Sequence, residues 1–254
     1  MASWSDLDQE LNVWRAAGKV PSFWWRDDDT DAPAASLDRL IGLSDRFAAP
    51  LHLAVVPAAI DPGLAPRLSR ARDVHVLQHG FAHINHEPKG ARASEIGQNR
   101  DTALQLRDLA EGWRRLQAAG LPNLLPVLVP PWNRVADCTV AELPGLRYRM
   151  LSAFDARSQA SPLPGLRQVN AHVDPIRWKR GAEFRGVEPT LDALVSHLTQ
   201  RRLGQVDSTE PTGFLTHHLQ TDAATWEFVE ALLERLTHRD AGTWVRLSSV
   251  LEAR

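Results

Sequence analysis

The chain has 254 residues, 29 Lys plus Arg against 31 Asp plus Glu, and a formal charge of −2. It is long enough to bury a full core, and it lacks the basic excess that a nucleic-acid partner would attract. One cysteine, Cys138, excludes an internal disulfide and suits a reducing compartment. No stretch approaches the roughly eighteen uninterrupted apolar residues of a membrane span, and the opening residues lack the basic-then-apolar order of an export signal. The expectation is a cytoplasmic protein that binds neither membrane nor nucleic acid. Nine Trp and ten His against a single Tyr would suit a ligand with flat apolar faces, although most tryptophans pack in cores.

Short apolar runs alternate with helical patterns along the chain, as in α/β folds. Residues 22–26 read as a strand, and a helix from about Ser36 keeps Leu37, Leu40, Ile41 and Phe47 at helical spacing. Strands follow at 51–56 and 74–77, the latter running into Gln78-His79-Gly80. A polar loop precedes a long helix carrying Ala103, Leu106, Ala110, Trp113 and Leu116 and stopped by Gly120. Residues 124–129 form the next strand, and 150–154 and 168–172 are weaker ones. A helix with Leu191, Leu194, Val195 and Leu198 leads to a strand at 213–216. The last helix starts at Thr221 or Asp222, carries Trp226, Val229, Leu232, Leu233 and Leu236, and is followed by a strand at 243–247. No Pro/Gly/Ser-rich linker interrupts residues 1–254, which read as one domain. About seven or eight strands with helices between them predict a (β/α) barrel, distorted or incomplete with about seven strands; a doubly wound open sheet is the alternative.

The polar residues that need an explanation follow strands: Arg26-Asp27-Asp28-Asp29-Thr30, His79-Gly80-Phe81-Ala82-His83, Pro130-Pro131-Trp132-Asn133-Arg134 and Thr216-His217-His218. In a parallel barrel these strand ends open onto one face, where active sites form. Four residues along a strand span about 13 Å, too far for two imidazoles to share a metal at roughly 2.1 Å each. A helical turn after Gly80 would bring His79 and His83 together, with His86 as a third candidate. Taken alone, such a pair is more often surface or capping histidine than ligand. Three adjacent carboxylates are costly near a core unless a cation or an arginine compensates them. Together the two motifs suit a divalent metal held by one carboxylate and two imidazoles. Zinc fits this donor set, and Co, Ni, Fe or Mn would be accommodated.

In these motifs the sequence resembles the polysaccharide deacetylase family, metal-dependent carbohydrate esterases that include chitin and peptidoglycan deacetylases, in order over roughly residues 22–245. The resemblance implies a paired-Asp motif in which Asp28 is the general base and Asp29 a metal ligand, with the register Asp27/Asp28 open. It implies that His79 and His83 are the other ligands. The family's third motif resembles Arg-Pro-Pro-Tyr, whereas this chain has Val129-Pro130-Pro131-Trp132. The arginine that orients the base is thus replaced, and Arg26 or Arg134 is expected to do its work. Pro131, Trp132 and Asn133 are expected to contact substrate, as is Trp178, which with Asp174 echoes the fourth motif. Leu215-Thr216-His217 matches the last motif and makes His217 the general acid, leaving His218 to orient the loop or touch substrate.

Gly-x-Ser-x-Gly, P-loop and dinucleotide motifs are absent, and Cys138 reads as a half-buried bystander. The leading expectation is therefore a metal-dependent amide hydrolase, most simply an N-deacetylase of an acetylated amino sugar or glycoconjugate. Its substrate would be a neutral or weakly charged acylated compound bound against tryptophan. The alternatives are hydrolysis of a small non-sugar amide or imide, and a carbohydrate-binding relative that has lost catalysis.

Overall fold

The computed structural model describes residues 2–179, 181–238 and 241–252. In chain order its elements are α1 (Trp4–Ala16), β1 (Ser22–Thr30), α2 (Ala35–Phe47), β2 (Leu51–Val55), α3 (Leu64–Leu68), β3 (Val74–His79), α4 (Thr102–Ala118), β4 (Leu124–Val129), α5 (Asp137–Val140), β5 (Met150–Leu151), β6 (Arg167–Gln168), β7 (Ile176–Arg177), β8 (Glu183–Phe184), α6 (Val187–Arg202), β9 (Thr212–Thr216), α7 (Ala223–Thr237), β10 (Thr243–Trp244) and α8 (Leu247–Glu252). Strands β1 to β6 lie side by side in sequence order, each parallel to the next. β9 pairs with β1 over Phe23–Asp27, and β10 meets only Ser22 and Phe23. Seven parallel strands, β1 to β6 and β9, thus form a curled sheet with helical crossovers, the incomplete (β/α) barrel that the pattern predicts rather than an open doubly wound sheet. Beyond β6 the ladder becomes sparse. Single bridges, Phe154 to Ala171 and Val173 to Phe214, carry the chain from β5 across to β9.

Alternation along β1 divides the core. Phe23 and Trp25 join an outer layer with Leu37, Leu40, Leu194 and Leu232 of the covering helices. Trp24 joins a second cluster with Ala54, Leu77, Val127, Val129, Met150 and Val169, to which α8 adds Leu247 and Leu251. Both β1 tryptophans are fully buried, so neither reaches a ligand. The Trp24 indole N–H donates to the Asn170 carbonyl at 2.9 Å. A Cβ on Gly213 would stand 2.5 Å from that nitrogen, so this strand position has room only for glycine.

Several elements differ from the sequence reading. The expected strands at 150–154, 168–172 and 243–247 shrink to two-residue ladders, and Leu247 instead begins α8. On α4 the buried face is Gln105, Leu109, Gly112 and Leu116, while Ala103 and Ala110 are exposed. Gln105 is inside because its amide bonds the Gly97 and Arg100 carbonyls and accepts from the Thr139 hydroxyl. An additional helix, α1, precedes the first strand; Ser3 and Asp6 form its capping box and Leu7, Leu11 and Trp14 make its buried stripe. The β7–β8 hairpin is antiparallel. No helix among the described residues is long and apolar enough to cross a membrane.

A buried histidine ties the sheet to α8. His52 Nδ1 lies 2.9 Å from the Trp25 carbonyl, and the Leu247 N–H donates to Nε2 at 3.0 Å. A carbonyl only accepts, so the neutral ring with its proton on Nδ1 is the form that makes both bonds. Burial and the charge of the stacked His75 push its pKa down to about 3. Above the unfolded value of about 6.5 both states are neutral; below it the unfolded chain takes up a proton that the folded chain refuses. Stability from this site is therefore complete above about pH 6.5 and is lost as the pH falls toward 3, at up to about 1.4 kcal/mol per pH unit. Glutamine can still donate and accept, so denaturant unfolding of His52→Gln should show a shallower loss of stability between about pH 7 and 5 than the wild type.

Candidate active site

The three carboxylates at the end of β1 point to three different partners. Asp27 is buried away from the sheet opening, where Oδ2 accepts from the Thr216 hydroxyl at 2.6 Å and the His218 N–H at 3.0 Å, and Oδ1 meets His218 Nδ1. Asp28 shares a strand face with Arg26, whose Nε lies 2.9 Å from Oδ1 and whose Nη2 donates to Oδ2 at 3.0 Å. The same guanidinium is held by Ser152, the Ala153 carbonyl and Asn133. Asp29 is re-aimed by a register break between β1 and β2 at Asp27/Thr30, with its own φ at +70°. Its Oδ1 lies 3.1 Å from His79 Nε2 and 3.3 Å from His83 Nε2.

His79 and His83 do not share a helical turn. β3 ends at His79 and the chain reverses through Gly80 at φ +51°, where a Cβ would strike Glu95 and Pro131. The buried Glu95 carboxylate accepts the Phe81 and Ala82 N–H groups at 2.9 and 2.7 Å, and this clamp presents His83 at φ +54°. Sequence reading missed Glu95; a lone Glu in a polar loop gives no pattern to find. His86 is exposed and outside the cluster.

The site opens into a pocket of about 570 Å³, within the range of small-ligand sites. Asp28, Asp29, His79, His83, Trp132, Asn133, Trp178 and His217 line it together with Asp174. The Trp132 and His83 rings stand 4.2 Å apart, and Trp178 meets His217 edge-on at 4.7 Å while its indole N–H donates to Asp174. Buried His217 Nδ1 has no hydrogen-bond partner among the described residues. Burial raises the Asp174 pKa, and the His217 charge opposes that shift. Five of the eight non-glycine residues described at positive φ, Asp29, His83, Trp132, Asn133 and Asp155, line this one pocket, as expected where strain holds side chains for function.

Some expected residues lie elsewhere. Arg134 cannot orient Asp28, because its Nη1 donates to the Ala93 carbonyl at 2.7 Å; Arg26 makes that contact. His218 is not a pocket residue, since the turn after β9 sets its N–H and its ring against Asp27. Pro131 is buried against Gly80 and does not line the pocket. Cys138 is exposed at the start of α5 beside Thr102.

The donor set suits a cation. His79 Nδ1 lies 3.0 Å from the Val129 carbonyl, which must accept, so a neutral His79 turns the Nε2 lone pair onto the Asp29 carboxylate. Two acceptors at 3.1 Å repel unless a proton or a metal ion sits between them. Burial opposes a charged His79, yet the Asp29 bond and the Asp28 and Asp29 charges outweigh it and raise its pKa. Burial likewise opposes an ionised Asp29, but the imidazoles hold its carboxyl well below the usual range. Burial and the His79 charge lower the His83 pKa. The ligating atoms of Asp29, His79 and His83 lie within 4.8 Å of one another. A second buried group, His172, His197 and Glu210, meets the same distance, but its imidazoles stack at 3.6 Å and 20°. In addition, the Gly213 N–H donates to His172 Nδ1, so Nε2 carries the proton and faces Glu210. That group is a buried polar network.

No known family profile matches the chain, and no curated protein sequence does. Its likeness to known proteins is in structure. It superposes on a Mycobacterium smegmatis protein bearing the name of a polysaccharide deacetylase, with a TM-score of 0.63, 16% identity and coverage of 92% of this chain and 90% of that one. A peptidoglycan deacetylase from Bacillus subtilis gives 0.57, 13%, 92% and 90%, and a family 4 carbohydrate esterase from Streptomyces lividans gives 0.55, 15%, 87% and 90%. The chain has the fold of these proteins over nearly its whole length.

Glu95→Ala removes the acceptor of two N–H groups and should lower unfolding free energy by about 2–3 kcal/mol in denaturant titration. Divalent-cation affinity, read by calorimetric titration, should fall by roughly 10–100-fold because His83 is no longer held.

Proposed function

We propose that this chain, built on the fold of the polysaccharide deacetylases, is a metal-dependent amide hydrolase that removes an acetyl group from the nitrogen of an acetylated amino sugar or glycoconjugate. The observation that carries this reading is the convergence of Asp29, His79 and His83 beside Asp28, whose two oxygens are both held by Arg26. That arrangement also answers the loss of the third-motif arginine at Val129. The guanidinium comes from β1 instead of β4, so the replacement does not argue for a catalytically dead relative.

Asp29, His79 and His83 would hold the cation. When bound, it supplies Lewis acidity, acidifying water and polarising a carbonyl oxygen. Zinc suits two imidazoles and a carboxylate, and Co, Ni, Fe or Mn are compatible. Asp28 takes a proton from the attacking water as oxygen adds to the carbonyl carbon. Arg26, braced by Ser152 and Asn133, keeps that carboxylate aimed. His217 gives a proton to the nitrogen as the carbon–nitrogen bond breaks, releasing the amine and the carboxylic acid. Trp132, against His83, and Trp178, against His217, supply apolar faces to the pocket, fit for a sugar ring or an acyl group.

Metal analysis of the purified protein followed by an amine-release screen over acetylated sugars tests the reading. About one divalent ion per chain is expected, lost in His79→Ala. Asp28→Asn should keep the ion and lose most turnover, and His217→Ala should keep it and lose about 10²–10⁴ in rate. Metal-free wild-type protein, or full activity in Asp28→Asn, would overturn it. Because His218 is committed to Asp27, His218→Ala should cost stability before it changes the acid limb or the basic limb of the pH–rate profile.

A further inference from the structure

The pocket rim carries charge that the hydrolytic machinery does not use. Arg92, Arg134 and Arg185 all line it, and none of the three forms an ion pair with a carboxylate among the described residues. Arg134 Nη1 donates to the Ala93 carbonyl and Arg185 Nη1 to the Asp174 carbonyl. Among the described residues both leave the rest of their fork without a hydrogen-bond partner, and Arg92 is exposed and has none. Arg134 Nη1 is bonded to the carbonyl of Ala93, the residue next to Arg92, and both arginines line the one pocket; burial and the Arg92 charge lower the Arg134 pKa. Two guanidiniums on the rim of one pocket that Trp132 also lines, neither paired with a carboxylate among the described residues, leave their donors available to an anion.

The charge of the whole pocket points the same way. Its carboxylates are Asp28, Asp29, Asp155 and Asp174, and its guanidiniums are Arg92, Arg134 and Arg185 with Arg26 behind Asp28. Four negative groups meet four positive ones, so a divalent cation on Asp29, His79 and His83 leaves the pocket net positive. The charge of the whole chain, −2, gives no hint of this.

We propose that Arg92 and Arg134 form an anion-recognition subsite, and that the substrate is an acylated amine carrying a carboxylate or phosphate group on the side of the molecule that faces Trp132. This rests on the hydrolase reading for what the pocket does to the ligand, but not for whether it binds an anion. Arg185, which bonds Asp174 as Trp178 does, is outside the subsite.

The test is calorimetric binding to the zinc-loaded protein of three probes that share one acetylated sugar: N-acetylglucosamine, its 1-phosphate, and N-acetylmuramic acid, which adds a carboxylate. At least one anionic probe should bind about tenfold or more tightly than the neutral sugar, a difference of roughly 1.4 kcal/mol, and added salt should weaken that probe alone. Which of the two wins tells phosphate from carboxylate. Arg92→Gln, at an exposed position, and Arg92→Gln/Arg134→Gln should remove the preference stepwise while metal content and neutral-sugar binding stay as in the wild type. Equal binding of all three probes by the wild type, or a preference that survives in the double variant, would overturn the subsite. A preference that is lost in the variants, with no amine released from any probe, would uphold the subsite and sink the hydrolase reading. Amine release from the neutral sugar with no anion preference would do the reverse.

Discussion

Three consecutive carboxylates at the end of a buried strand are the constraint from which the rest of the site follows. Left together in a low-dielectric interior they would repel one another and lose hydration, a cost of several kcal/mol per charge. The fold separates them onto three compensators from three parts of the chain. Asp27 goes to Thr216 and His218 at the end of β9, Asp28 to Arg26 on its own strand, and Asp29 to His79 and His83 after β3. Ordinary strand alternation could send neighbours to two faces only. The third direction comes from the register break and positive φ at Asp29, which let two adjacent acids, Asp28 and Asp29, look into one pocket.

Each compensator fixes a further element. Arg26 reaches Ser152 and Ala153 beyond β5 and Asn133 beyond β4, so a side chain on β1 braces strand ends across the curled sheet. This is the region where the backbone ladder is sparse, β5 and β6 having two paired residues each. Removing either member of the Arg26–Asp28 pair would leave an uncompensated buried charge and loosen those ends together. The incomplete side of the barrel is thus held as much by this ion pair and by Asn170, which accepts Trp24 on its carbonyl and Ala153 N–H on its side chain, as by strand pairing.

Much of this was legible. Strand positions and the helices between them follow from periodicity, and the polar residues after each strand point to one face because parallel sheets put them there. The pairing of His79 with His83 was also legible, but through the wrong geometry. A helical turn is the simplest way to bring two residues four apart together, whereas the chain uses Gly80 and an acid fourteen residues on, Glu95. Such a contact leaves no periodic trace. Likewise, two arginines were candidates to hold Asp28; Arg26 is two residues away on the same strand face, while Arg134 follows a turn with Trp132 and Asn133 at positive φ that sends it to Ala93. The buried face of α4 departs from its apolar periodicity because a polar residue, Gln105, and a glycine, Gly112, are inside.

His217 and His218 show how a symmetrical sequence becomes an asymmetrical site. As residues they are interchangeable; position after β9 is what separates them. β1 and β9 pair with Asp27 opposite Thr216, so the residue two beyond Thr216 falls within reach of the Asp27 carboxylate, and His218 is taken up by it through both backbone and side chain. His217, one residue earlier, has to face the other way, into the pocket, with Nδ1 unpartnered and Trp178 against its ring. The first acid of the run therefore selects which histidine the pocket receives, and this ties the two ends of the site: shifting the Asp27–Thr216 register by one residue would exchange the two histidines and move the acid run away from His79 and His83 at once.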